Sequence, residues 1–189
     1  MWKECGTLTV YEIDKYLNEF KHYFDNLELV NTSKYGTVFQ MKNDNTCIDK
    51  NGVSLVTQIS VSRLLRIQKL SEHWPCNFII VVHLVNPWDV PILFSYLSST
   101  TLPVTWLVNL PNYNAINSKE YPINYLRNVG IRHVKTLHYL VIDADFLMDT
   151  QLYYKAKDLV INRKVDPSLK PRIDESFAEF NNRVEERHK

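Results

Sequence analysis

Glycine is scarce in this sequence, with four in 189 residues, which argues against a glycine-rich loop of the kind that cradles phosphate. Cysteine is equally sparse. Cys5, Cys47 and Cys76 show neither a paired framework nor metal-ligand spacing, so neither a disulfide nor a zinc site is expected. Charge of one sign is missing too: Lys and Arg number 22 against 21 Asp and Glu, a formal net charge of +1. That balance gives no electrostatic argument for nucleic acid or for an anionic membrane surface as a partner. An apolar run of about eighteen residues, the length that suggests a transmembrane helix, is absent. The opening "MWKECGTLTVYEIDKYLNEF" lacks the apolar centre of a signal peptide.

What is present is a globular composition, 45% hydrophobic and 12% aromatic, in a chain long enough to bury a core of its own. Tyr16, Leu17, Phe20, Tyr23, Phe24 and Leu27 recur at helical spacing in "YEIDKYLNEFKHYFDNLEL", which predicts an amphipathic helix with a core-facing stripe. From Asn31 to Asn51 the chain turns polar and irregular. The sequon Asn31-Thr32-Ser33 lies there and would accept a glycan only in the secretory pathway. These features divide the chain into an N-terminal extension over 1–51, a main domain over 52–162 and a charged, proline-marked tail over 163–189 that can be helical.

The main domain alternates. "VSLVTQIS", "FIIVVHL", "VTWLVNL" and "YLVID" read as strands, and "SRLLRIQKLSEHW", "WDVPILFSYL", "YPINYLRNVGIRHV" and "TQLYYKAKDLVI" as the helices between and after them. Such alternation predicts an α/β fold, a mainly parallel sheet flanked by helices, with ligands at the carboxyl ends of the strands. Tyr139 to Ile142 have the apolar density of a buried strand, and Asp143 and Asp145 interrupt it. Burying unpaired charge costs several kcal/mol, on the order of its desolvation, so those carboxylates call for compensation.

Residues two apart on a strand share a face, so Asp143 and Asp145 can converge on one hard cation, manganese or magnesium. Such an ion bridges a diphosphate and stabilises it as a leaving group. A bland reading stands beside this, because aspartates at strand ends are common turn formers and helix caps. A nucleophile and acid pair of the haloacid-dehalogenase type is a further reading, but Leu147 stands where that motif carries Thr or Val. In the preceding helix Asn124, Arg127 and Asn128 share a face, opposite Ile123, Leu126 and Val129, and could bind a hydroxyl, carboxylate or phosphate. His73 and His83 read as structural residues, a helix-end cap and a core histidine, and Trp88 and Trp106 as packing residues.

Taken together, "VSLVTQISVSRLLRIQKLSEHW" and "YPINYLRNVGIRHVKTLHYLVIDADF" resemble the glycosyltransferase family 49 domain of LARGE-type xylosyl- and glucuronyltransferases and of beta-1,4-glucuronyltransferase. The resemblance spans roughly Gly52 to Asp149. It implies a GT-A (Rossmann-like) fold and inverting transfer of a sugar, typically glucuronic acid, from a UDP-sugar donor to a glycan acceptor with manganese, in the Golgi lumen. Carried over, Asp143 and Asp145 hold the metal and diphosphate, Thr57 and Gln58 lie beside the nucleotide, and Asn124, Arg127 and Asn128 line the donor-sugar pocket. Ala144 departs from the commoner Ile of that motif. The resemblance ends soon after it, so the expectation is a fold incomplete at the C-terminus and no assignable catalytic base. The alternative is a truncated or degenerate homologue that binds nucleotide or a protein partner without transfer.

Overall fold

The computed structural model describes residues 10–25, 27–42, 46–113, 121–146 and 148–162. The sequence Val53–Ser60 forms a strand, β3, that is buried at every position but the last, as a β-branched run in the middle of a parallel sheet should be. Phe78–His83 (β4) and Val104–Leu110 (β5) lie parallel to it in turn, and His138–Val141 (β6) pairs with its other side. The helices Leu64–His73 (α2), Asp89–Ser99 (α3) and Ile123–Arg132 (α4) connect these strands, and Leu152–Asn162 (α5) follows β6. The helix-strand alternation read from the sequence is therefore present, in a mainly parallel sheet.

Three details differ from expectation. The N-terminal helix, Val10–Phe20 (α1), gives way to a 3-10 turn, so Leu29, read as helical, stands exposed on a strand. The stretch after it is not irregular: Glu28–Ser33 (β1) and Gly36–Gln40 (β2) form a hairpin, and β2 pairs antiparallel with β5. The sequon Asn31 thus lies on the edge strand β1. Finally, β6 is only half-buried, because the strand order β1-β2-β5-β4-β3-β6 places it at the other edge. Apolar density reported one good packing face, and it could not report how many neighbouring strands there would be.

Alternation along β3 sends Val53, Leu55 and Ile59 to one face, under α2 and α3, and Val56 to the other, under α4. Tyr23 and Phe24, just past α1, close the first layer by packing on Phe94 of α3, at ring separations of 4.9 and 5.5 Å. The hairpin turn needs Gly36, whose φ is +118° and where a Cβ would meet the Leu110 carbonyl oxygen at 2.2 Å. Trp106 is a core residue as expected, and Trp88 packs edge-on against Tyr16.

The cysteine expectation is overturned. Cys47 and Cys76 form a disulfide across 29 residues, worth about 3 to 4 kcal/mol by loop-closure entropy for a loop of that size. Spacing gave no sign of it because the two loops meet only once β4 is laid beside β3. Next to the bridge, the Asp49 carboxylate accepts hydrogen bonds from the Tyr153 hydroxyl (2.9 Å) and the Lys157 ammonium (2.6 Å) of α5. The bond from Lys157 is the chief reason its pKa lies below the usual carboxylate value.

α4 lies close on the sheet because Gly130 has no side chain: a Cβ there would meet Val56 Cγ1 at 2.5 Å and Val81 Cγ2 at 3.2 Å. Gly130→Ala is therefore expected to lower stability by about 1 to 3 kcal/mol, as overpacking does. Urea unfolding at neutral pH measures this.

Candidate functional site

The strand order reverses at β3: β4 and β5 are added on one side of it, and the chain then returns to place β6 on the other. In an open α/β sheet such a reversal leaves a crevice at the carboxyl ends of the two strands, where the connecting helices diverge. Ser60 ends β3 and Asp143 follows β6, so both open onto this crevice. Two contacts hold the end of β6 in place: the Ile142 amide donates to the Val56 carbonyl at 3.1 Å, and the Thr57 hydroxyl donates to the Ile142 carbonyl at 2.8 Å. A tight turn follows, closed by the Phe146 amide on the Asp143 carbonyl at 3.1 Å. Ala144, at its centre, turns its methyl into the core.

That turn separates the two carboxylates. Asp143 Oδ1 accepts from Gln58 Nε2 at 3.1 Å and from Arg127 Nη2 at 2.6 Å. Asp145 accepts from Arg63 Nη1 at 2.5 Å on one oxygen and from Arg66 Nη1 on the other. The compensation that the sequence demanded is thus supplied by three arginines from three elements: the 3-10 turn Val61–Arg63, α2 and α4. The Asp143 pKa lies below the usual carboxylate range, chiefly through the Gln58 hydrogen bond and then through Arg127. Side chains that are 41% and 43% exposed at Asp143 and Asp145 make these ion pairs weak contributors to stability, at most about 1 kcal/mol each. Their effect is to fix geometry.

A cavity of about 390 Å³ opens against this turn, lined by Gln58, Ser60, Arg63, Tyr121, Ile123, Asp143, Asp145 and Phe146 among others. A second, of about 330 Å³, lies on the far side of Asp145 against α2, beside Arg66, Lys69 and His73. Tyr121 forms one wall of the first. Burial, before any charge, pushes its hydroxyl up to about 12, so it stays a neutral donor. Its ring packs edge-on over His83 at 5.1 Å. His83 is a core residue, as expected: burial lowers its pKa to about 4, and the neutral ring pairs Nδ1 with Asn109 Nδ2 at 2.8 Å.

Of the residues singled out from sequence, Gln58, Arg127 and Asp143 meet in one hydrogen-bonded group. Thr57 is fully buried and spends its hydroxyl on Ile142. Asn124 and Asn128 share the Arg127 face of α4 and are exposed, whereas Ile123, read as core-facing, is 37% exposed and lines the cavity instead. Arg63, Arg66 and Tyr121 were not singled out. The "SRLLR" directly after the first strand was the available signal, since arginines three apart share a helix face.

Residues 96–177 match the profile of a family described as the glycosyl-transferase for dystroglycan. A glycosyltransferase-like protein of Dictyostelium discoideum, gnt14, is 28% identical over 172 residues, covering 82% of this chain and 27% of that protein. The xylosyl- and glucuronyltransferase LARGE1 of Homo sapiens is 27% identical over 138 residues, 72% of this chain and 18% of its own length. LARGE2 of Mus musculus is 30% identical over 103 residues, 53% of this chain and 14% of that protein. Along these stretches the chain is similar to LARGE-type glycosyltransferases. It spans about a quarter or less of the length of these relatives. The family match overlaps β6 and the aspartate turn, and includes Asn124, Arg127, Asn128, Asp143 and Asp145.

As to a metal, two half-exposed carboxylates are hard oxygen donors of the kind that hold magnesium or manganese together with phosphate oxygens and water. The donor chemistry fits, but here the two carboxylates turn to different arginine partners instead of converging on one point. Among the described residues no group of three or more His, Cys, Asp or Glu is placed to hold an ion by itself, so any such cation depends on a ligand to complete its shell.

The Asp143 hydrogen bonds carry a pH signature. A carboxylate whose folded pKa is depressed contributes stability above the unfolded value of 3.8, and loses it as pH falls through the folded midpoint. Replacing Arg127→Gln is expected to move the Asp143 midpoint upward, toward the unfolded value. Titration of the side-chain carboxyl carbon by NMR measures that shift.

Proposed function

We propose that this chain forms the donor side of a metal-dependent glycosyltransferase that takes a sugar, glucuronic acid in the first instance, from a UDP-sugar and passes it to a glycan acceptor with inversion. The supporting observation is the position of Asp143 and Asp145: at the carboxyl end of β6, at the point where strand order reverses, beside a 390 Å³ cavity. Sheet geometry sends nucleotides to such a crevice, and a chain similar to LARGE-type glycosyltransferases is expected to use one for a nucleotide-sugar.

Asp143 and Asp145 would hold manganese or magnesium. When bound, that ion supplies Lewis-acid stabilisation of the departing diphosphate. The chain's own residues orient the donor. Gln58 Oε1 and Arg127 Nε are buried and make no hydrogen bond within the protein; the first would accept from a nucleotide donor group and the second donate to a phosphate or glucuronyl carboxylate once these side chains shift from Asp143. Thr57 acts one step removed, by fixing the end of β6 to β3. Asn124 and Asn128 offer exposed amides on the Arg127 face for sugar hydroxyls, and Tyr121 offers a neutral hydroxyl to the cavity.

The disulfide between Cys47 and Cys76 supports a location in an oxidising compartment such as the Golgi lumen. No helix among the described residues is long and apolar enough to cross a membrane. A second reading, nucleotide binding without transfer, is favoured by one observation: both carboxylates already have arginine partners, so a diphosphate could be bound by guanidinium groups alone.

Calorimetric titration of UDP into the purified chain, with and without manganese, separates the readings. The donor-site reading expects binding that tightens at least about tenfold with manganese, as loss of a charged contact implies, and that this gain disappears in Asp143→Ala with Asp145→Ala. Binding of equal strength without the metal favours the non-catalytic reading, and no UDP binding at all overturns both.

A further inference from the structure

Asp145 has more positive charge around it than it can use. Arg63 stands in the 3-10 turn after β3 and Arg66 three residues on in α2, and both guanidinium groups converge on its single carboxylate, one on each oxygen. One carboxylate shared by two guanidiniums leaves a positive charge in excess, and Arg63 presents it to the cavity that also receives Asp143, Gln58 and Tyr121.

The arginines are not locked there. Their side chains are 46% and 56% exposed, so water screens the pairs and little is lost in breaking them. Each guanidinium is a planar fork that fits two oxygens of a phosphoryl group as well as it fits a carboxylate, and a diphosphate carries more negative charge than Asp145. Backbone placement favours the exchange. Both arginines stand on a segment anchored in the core by Val61, Leu64 and Ile67, so only their flexible ends need to move.

We propose that Arg63 and Arg66 are the diphosphate-binding residues of this site. Asp145 holds them in position while the crevice is empty, and they transfer from its carboxylate to the phosphoryl oxygens of a nucleoside diphosphate when it enters. The same exchange leaves the Asp145 carboxylate unpaired at the moment the ligand arrives. This rests on the donor-site reading above and adds to it the residues that recognise the diphosphate, independently of any metal.

The test is titration of UDP, with uridine as the control lacking phosphate, into the whole chain in the presence of EDTA. Wild type is expected to prefer UDP over uridine. Arg63→Gln with Arg66→Gln should cut that preference about tenfold, the worth of a charge-assisted contact, while uridine binding stays unchanged. Asp145→Asn should act in the opposite sense and tighten metal-free UDP binding several-fold, because the arginines lose their competing carboxylate. That variant leaves both arginines intact, so it reads the exchange even if the double variant does not fold. UDP binding unaffected by the arginine substitutions, or not tightened by Asp145→Asn, overturns the exchange and leaves the donor site standing. A wild type that binds neither UDP nor uridine in EDTA overturns the exchange, and the same titration repeated with manganese then decides the donor-site reading separately.

Discussion

The hydrogen bonds that Gln58 and Arg127 donate to Asp143 tie together the three elements that define the crevice: β3, α4 and the turn after β6. A carboxylate at the end of an apolar strand must be compensated or the turn cannot sit against the sheet. Here the compensation comes from a side chain of the central strand and one from the helix on the same face. Because the Arg127 and Asp143 side chains are partly exposed, their ion pair adds little to stability. It decides instead where the carboxylate oxygens point, which matters more to a binding site.

The close approach of α4 makes this possible. Without a side chain at Gly130 the helix settles onto Val56 and Val81, and Arg127, one turn earlier, comes within reach of the strand end. On the opposite face Asp145 meets Arg63 and Arg66 from the segment after β3. The turn is therefore held between two helices of different origin, with the methyl of Ala144 as its buried pivot. A larger residue at that pivot would have to displace core side chains, which gives the small residue a packing role beside whatever the family motif prefers.

Further from the crevice, the N-terminal segment is part of the same structure. The hairpin β1–β2 widens the sheet through its antiparallel pairing with β5, and Tyr23 and Phe24 cover α3. The Cys47–Cys76 bridge ties the loop before β3 to the loop before β4, and the Asp49 contacts fasten that first loop to α5. Since α5 begins soon after the aspartate turn, this fastening also limits how far the turn's C-terminal end can move.

The alternation of apolar runs with helical patterns was enough to specify an α/β sheet, because periods of two and of 3.6 differ over a few residues. The sequence also pointed to Asp143 at a strand end and Arg127 on a polar helix face, and the family resemblance added Gln58. Strand order was not legible: the same pattern permits β6 at the centre or at the edge, and only long-range pairing with β3 placed it at the edge. Antiparallel addition of the β1–β2 hairpin was hidden for the same reason, its strands being short and polar on one side. The disulfide and the Arg63 and Arg66 contacts to Asp145 join residues far apart in the chain. Such contacts leave no local period in a sequence, so only the folded sheet, by bringing the ends of β3 and β6 together, decided them.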